Sequence, residues 1–368
     1  MAERLGINYR LDIEVLTPLH IGNGVTLKQD FDFAVVNGLV YRLNEDIILA
    51  DRWPEDLTQQ QTFLNQPLAR LLEPGDYTRY PQYFRYTLRG QPTLREIREA
   101  IKDVQGCPYI PGSSLKGALR TVLLRMLTDQ QVFRRDDFGQ AGGPREAKSA
   151  DDALEKEILG RDPNRDILRA LQVADSAPLS PAVLTLQPVQ MVPGLTLDVE
   201  AVARGTRFTA GLRVDTWLLQ QCGQRELEWS EELTKRLAAI DRVAHYIARK
   251  RLVHEYDYHA KRKDGAAATF YGKLLEEASS AAWPKNEFLV QVGFATGWRA
   301  KTVTGGLEND DPLLETLVRE FQMDRGGGKK SRGYTRGQAF PKARHLAWVG
   351  GNPALPMGWL RIRMVKSE

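Results

Sequence analysis

The stretch Pro108-Tyr-Ile-Pro-Gly-Ser-Ser-Leu-Lys-Gly-Ala-Leu-Arg120, with its continuation to Thr128, organises the reading of the chain. Leu115, Ala118, Leu119, Val122, Leu123, Met126 and Leu127 recur at three- and four-residue steps, which gives one apolar helical face. The spacing predicts a helix over residues 114–128, with Ser113 or Ser114 as its N-cap and Gly112 letting the backbone come close to a partner. Free backbone N–H groups and the positive end of the dipole make such a start an anion site, and Lys116 and Arg120 stand beside it one turn apart. The plainer reading is a capped core helix with two solvent-facing cations. A serine-hydrolase elbow is excluded, because Gly112-Ser-Ser-Leu-Lys-Gly117 does not fit GxSxG.

Before this helix, Tyr9, Leu11, Ile13 and Val15 alternate with Arg10, Asp12 and Glu14, the pattern of a half-buried strand. The strand runs into Thr17-Pro-Leu-His-Ile-Gly-Asn-Gly24, where Pro18, Gly22 and Gly24 enforce a loop around His20. Residues 31–36 and 39–41 flank Asn37-Gly38, a two-residue hairpin signal. Residues 56–72 read as a helix interrupted near Pro67, and Thr93-Leu-Arg-Glu96 as a capping box opening a short helix to about Lys102. Beyond the helix, residues 129–166 form a mixed-charge insertion, followed by strands at 167–175, 182–192 and 208–214. A long helix over roughly 230–252, a strand at 288–294, a helix at 312–322, a glycine-rich loop at 325–337 and a strand at 359–365 complete the chain. Strands and helices are interspersed too irregularly for a doubly wound sheet, so the expected class is α+β.

The chain has 368 residues, of which 42% are hydrophobic and 27% charged, enough for a sizeable core and unlike a disordered chain. Met-Ala-Glu-Arg-Leu at the start is no export signal, and no run approaches the roughly 20 apolar residues that span a bilayer, so a cytoplasmic protein is expected. Cys107 and Cys222 form at most one bridge, and without a CxxC a cysteine-held zinc is a poor reading. The net charge is only +4, yet ten basic residues and one acid follow from Arg325 onward, a local +9 against −5 elsewhere. That is the footprint of a polyanion binder.

Within that basic region, Arg325-Gly-Gly-Gly-Lys-Lys-Ser-Arg-Gly-Tyr-Thr-Arg-Gly337 combines Gly326, Gly327 and Gly328, whose main chain can cradle phosphate, with Lys329, Lys330, Arg332 and Arg336. Tyr334 offers a face for a base. The loop lacks the GxxxxGK[ST] of a nucleotide-triphosphate site. His245, His254 and His259 invite a metal reading, but their spacing does not fit HExxH, and no metal or cofactor is assigned. The same segment interleaves Tyr246, Tyr256 and Tyr258 with basic residues, which suits either a single-stranded nucleic-acid surface or a plain exposed helix end. His20 is a candidate acid or base, and Asp30 and Asp32 follow its loop as carboxylates able to orient a nucleophile or hold a divalent ion.

Together, His20-Ile-Gly-Asn-Gly24, the 108–120 stretch, Leu171-Gln-Val-Ala-Asp-Ser176 and the loop at 326–337 resemble the RAMP superfamily of CRISPR effector proteins. Within it, Gly293-Phe-Ala-Thr-Gly-Trp-Arg-Ala-Lys-Thr302 and the chain length are most similar to the type III-A (Csm) subunit that caps the 3′ end of the guide RNA. The resemblance implies a ferredoxin-like, RRM-type core over residues 1–215 and 288–368. Insertions fall at about 40–105, 129–165 and 216–287, and a thumb-like hairpin at about 181–208. It further implies a non-catalytic, antiviral role: holding the 3′ part of the crRNA at the head of the Csm complex and supporting 3′-end maturation. The implied partners are crRNA, the adjacent RAMP backbone subunit, the small helical subunit, host nucleases and, indirectly, target RNA, with no membrane. A guide of variable sequence is best held by phosphate, sugar and base faces. The candidate RNA-binding residues are therefore His20, Gly22, Gly24, Ser113, Ser114, Lys116, Arg120, Trp298, Arg299, Lys301, Gly326, Gly327, Gly328, Lys329, Lys330, Arg332, Tyr334 and Arg336. The alternative is a metal-dependent endoribonuclease, since Asp32 falls about where the backbone subunit carries its cleaving aspartate. A metal-independent RNase using His20 or His345 is a third reading.

Overall fold

The computed structural model describes residues 6–129, 133–138, 151–309, 311–324 and 333–367. Its first sheet is antiparallel, in the order Glu287–Gln291 (β11), Trp359–Lys366 (β14), Ile7–Val15 (β1), Arg207–Val214 (β10) and Leu171–Val173 (β7). Along the chain, β1, the helix Gly112–Thr128, β7, β10, the helix Ile240–Lys261 and β14 give the βαββαβ succession, with β14-β1-β10-β7 as neighbours. This is the ferredoxin-like order with β11 added outside β14. The alternation in β1 decides the register. Leu11 and Ile13 stand opposite Ala210 and Phe208 on one side and opposite Met364 and Ile362 on the other, all buried. A one-residue slip would turn Asp12 and Glu14 into that core.

Helices 112–128 and 240–261 pack together against this sheet. Leu115, Leu119, Leu123 and Leu124 of the first helix are at most 3% exposed, and burying each leucine stabilises the fold by roughly 1.5–3 kcal/mol. The helix begins at Gly112 with Pro111 at its N-cap position, two or three residues before the expected Ser113 or Ser114 cap. Gly112 is required there because a Cβ would lie 2.2 Å from the Val173 carbonyl oxygen and 2.7 Å from the Ala174 carbonyl carbon. The glycine brings the helix onto β7.

A second sheet has the order Asn352–Pro356 (β13), Arg344–Val349 (β12), Leu184–Val192 (β8), Thr196–Val202 (β9), Glu96–Ala100 (β6) and Gly22–Lys28 (β2), in which only β6 and β9 run parallel. The hairpin read at about 181–208 is β8 and β9, lying between β12 and β6 with Leu195 at its exposed tip. A small third sheet, Phe33–Val36 (β3), Leu39–Leu43 (β4) and Phe84–Arg89 (β5), carries the expected Asn37-Gly38 turn. The helices Glu45–Arg52 and Leu57–Leu64 lie between β4 and β5.

Two local expectations give way to tertiary partners. Thr93 opens a strand, not a helix. Its N–H (2.6 Å) and hydroxyl (3.0 Å) and the Leu94 N–H (2.7 Å) donate to the buried Asp198 carboxylate, while Ile97 and Ala100 enter the core of the second sheet. The helix read at 230–252 is two, Glu231–Ala238 and Ile240–Lys261, separated at Ala239. The second one buries Arg251 and Glu255.

Candidate nucleic-acid interface

Four segments far apart in sequence meet around an open cleft of about 710 Å³: residues 20–26, the first turns of helix 112–128, residues 291–301, and Arg98 and Glu99 of β6. The join between the first and third is a backbone contact. Phe294 N–H donates to the His20 carbonyl at 2.8 Å. Gly293 turns at φ +91° with its missing Cβ 2.4 Å from that same oxygen, so no larger residue fits. Gly24, also at positive φ, faces open space. Ser114, Gly117 and Thr121, at helical spacing, present a small hydroxyl-bearing face to the cleft.

The start of this helix is held from inside the protein. Asp175 accepts from Gly112 N–H at 2.7 Å, and Ser176 Oγ accepts from Ile110 N–H at 2.8 Å. The segment Leu171–Ser176, read as part of the family pattern, therefore supplies the helix with its own anion. An external phosphate would meet the Ser114, Gly117 and Thr121 face rather than the Gly112 amide.

His20 is 2% exposed and lies 2.7 Å through Nδ1 from the Glu200 carbonyl. Burial, reinforced by Arg98 and Lys102 against the Glu200 hydrogen bond, brings its pKa down to about 4, so the ring is neutral at pH 7. The Glu200 side chain, fully buried, accepts from Tyr86 hydroxyl (2.6 Å), Lys102 ammonium (2.6 Å) and Ala100 N–H (2.9 Å). This network fixes the floor behind His20.

Two cations line the cleft, and both are exposed. Lys301 was expected. Arg98, with its guanidinium 4.7 Å from the Phe294 ring, was not, because residues 93–102 read as a helix. On strand β6 the side chain of Arg98 points opposite to that of Ile97 and out of the core. Among the described residues the one carboxylate lining the cleft, Glu99, is engaged by Asn23 Nδ2 at 2.8 Å and Lys102 Nζ at 3.3 Å.

Other expected residues take structural places. Arg299 is 5% exposed and donates to the carbonyls of Phe340 (3.1 Å), Gly305 (2.9 Å) and Leu307 (3.1 Å) and to Asn309 Oδ1 (2.9 Å). Its role is to hold the loops after β11, which corrects its reading as an RNA contact. Trp298 packs edge-on against Phe340 at 5.0 Å. Tyr334 does likewise at 5.4 Å, and its hydroxyl donates to the Asn309 carbonyl. Arg120 is paired with Glu155 and lies 4.0 Å from Asp166, so it is no open cation. Lys116 is half-buried and sits outside the cleft lining. Ser113 and Arg336 are exposed. Gly326, Gly327, Gly328, Lys329, Lys330 and Arg332 lie outside the described residues.

The basic C-terminal region is partly neutralised as well. Arg344 pairs with the buried Glu255 at 2.7 Å, and Arg361 and Arg363 pair with Glu277 and Glu287. The carboxylates of the acidic body thus take up charge that the sequence count had left at the surface. The histidines of helix 240–261 are likewise built in. His245 contacts the Ala278 carbonyl at 3.0 Å and stacks on Trp283, and His259 contacts Asp264 at 3.1 Å. Among the described residues, no group of three or more His, Cys, Asp or Glu side chains is placed to hold a metal ion. Asp32 lies off the cleft and accepts from Lys28 N–H at 2.7 Å, closing a turn. His345 packs against Phe294 with its ring centroid 6.1 Å away, and burial lowers its pKa.

The description "RAMP superfamily" matches residues 12–336. A Mycobacterium tuberculosis protein named CRISPR system Cms protein Csm5 is 31% identical over 177 residues, 44% of this chain and 47% of that protein. The Streptococcus thermophilus protein of the same name is 28% identical over 197 residues, 46% of this chain and 52% of its relative. The chain thus spans about half the length of these two curated relatives. A chain in the cryo-EM structure of a Csm-crRNA-target RNA ternary complex of a type III-A CRISPR-Cas system superposes with a TM-score of 0.68 at 25% identity, covering 98% of this chain and 100% of that one. Ferredoxin-like strand order, glycine-lined cleft and a family match over most of the sequence agree, and the chain belongs to the RAMP superfamily.

Proposed function

We propose that the chain is a non-catalytic crRNA-binding subunit of a type III-A (Csm) effector ribonucleoprotein, holding the 3′ part of the guide at the head of the complex. The observation that carries this reading is the convergence of residues 20–26, 98–99, 114–121 and 291–301 on one cleft with two exposed cations and a glycine-rich wall. Glycine backbone, hydroxyls and cations suit phosphate and sugar, which a guide of changing sequence requires. Names and structures carrying the Csm designation among its relatives support the assignment. The partners proposed are crRNA and the other Csm subunits, the RAMP backbone subunit first among them, in the cytoplasm. Among the described residues no helix is long and apolar enough to cross a membrane.

The test is purification of the complex with this chain tagged, followed by sequencing of the RNA it retains. Short RNAs with a common 5′ end and loss of their 3′ portion from nuclease protection when the chain is absent are expected. Retention of full protection without the chain would overturn the placement. Incubation of the purified chain with RNA, with and without a chelator, should give no cleavage in either case; cleavage abolished by the chelator would favour the endoribonuclease reading.

A further inference from the structure

We infer that His20 reads the sugar of the bound strand: its Nε2 accepts a hydrogen bond from a ribose 2′-hydroxyl and so selects RNA over DNA. The inference deepens the RNA-binding reading of the cleft and rests on it.

The tautomer follows from the geometry. Nδ1 lies 2.7 Å from the Glu200 carbonyl oxygen, which only accepts, so Nδ1 carries the proton and Nε2 presents a lone pair. Burial keeps the ring neutral, with its pKa near 4, so the lone pair persists across the physiological range. The ring is clamped by that bond, by its own carbonyl on Phe294 N–H and by the Phe294 ring, whose centroid lies 5.6 Å away in an edge-on arrangement.

His20 lines the cleft beside Gly22 and is only 2% exposed. A Cβ at Gly22 would lie 3.0 Å from Nε2 and 3.6 Å from Cε1, so a glycine here keeps open a narrow approach to Nε2 that a larger residue would close. A fixed neutral acceptor beside Arg98 and Lys301 has one natural complement. The two cations take phosphate, and phosphate has no proton to offer at neutral pH. Base amino groups change with sequence, whereas the 2′-hydroxyl is a donor in every ribonucleotide.

The experiment measures binding of the purified chain to an RNA oligonucleotide, to DNA of the same sequence, and to RNAs carrying one 2′-deoxy or one 2′-fluoro substitution at each position in turn. At one position at least, both substitutions should weaken binding by about 3- to 10-fold, the worth of one neutral hydrogen bond. Fluorine accepts but does not donate, so a loss with deoxy and none with fluoro would show that the protein donates and would overturn the inference. In His20→Ala, and independently in Gly22→Ala, which crowds Nε2 without altering the ring, the loss at that position should vanish. A loss that persists in Gly22→Ala assigns the hydroxyl to another group and overturns the inference. Equal binding of RNA and DNA that still weakens in Arg98→Ala overturns the sugar reading alone, whereas no binding of either strand overturns it together with the RNA-binding reading.

Discussion

A strand held by its phosphates in this cleft makes different demands on Arg98, Lys301 and Arg120. Arg98 and Lys301 line the cleft, are exposed, and have no carboxylate ion-paired to them among the described residues. Arg120 is already paired with Glu155 and sits outside the lining. Each phosphate neutralised on a single strand contributes about 0.7 to the slope of log affinity against log salt, because counterions are released on binding. Arg98→Ala with Lys301→Ala should therefore flatten the slope by about 1.4. Between about 50 and 200 mM salt each contact costs roughly 2.6-fold in affinity, so the wild type should lose about 7-fold more than the double variant over that range. Arg120→Ala should leave the slope unchanged and lower stability by at most about 1 kcal/mol, as for a partly exposed ion pair. Fluorescence anisotropy of a labelled RNA at four salt concentrations, with thermal melts of the same proteins, reads both quantities. An unchanged slope in the double variant, or an equal flattening in Arg120→Ala, refutes this division of roles.

Replacing Lys329, Lys330, Arg332 and Arg336 together with Ala should flatten the same slope by up to about 3 if the C-terminal loop reaches the RNA, and an unaltered slope removes the loop from the interface. Gly112→Ala sets a methyl group against the backbone of residues 173 and 174 and should destabilise by at least about 1–3 kcal/mol in urea unfolding; a wild-type midpoint would contradict the packing. Asp32→Ala should leave RNA affinity and the absence of cleavage unchanged, costing only the Lys28 N–H bond, about 0.5–1.5 kcal/mol. Burial holds His20 and His254 near a pKa of 4, below the ordinary 6.5, so an unfolded chain gains protons there that the native one refuses. Stability from these groups is complete above pH 6.5 and falls as pH drops from 6.5 to 4, so melting midpoints should decline across that window. A flat profile would show that the rings are not buried neutral.

The elements legible in the sequence were those whose partners lie in their own pattern. Strand β1 and helix 112–128 announce their buried faces by period, and Asn37-Gly38 announces its turn. The misreadings share a different cause. Arg299, flanked by Trp298 and Lys301, has the composition of an RNA contact. What makes it structural is a set of acceptors at residues 305, 307, 309 and 340, which no local window contains. Arg344, Arg361 and Arg363 looked like surface charge for the same reason, their carboxylates lying at least 76 residues away. Arg98 was hidden by a capping-box pattern that Asp198 captures instead.

The cleft is explained by what that remote pairing leaves over. Two of the arginines read as RNA-facing, Arg120 and Arg299, are satisfied by internal acceptors, so among the described residues the cleft surface that remains for a strand is made chiefly of glycine backbone, two hydroxyls, a narrow histidine edge and two cations. Such a surface binds weakly per contact and without preference among bases. In the proposed role a guide of changing sequence needs that indifference, and neighbouring subunits gripping the same RNA would complete the affinity, because linked weak sites act at high effective concentration. The isolated chain should accordingly bind a short RNA far more weakly than the assembled complex does. Equal affinity of the two would mean that this cleft alone holds the strand, and would require charged contacts beyond Arg98 and Lys301.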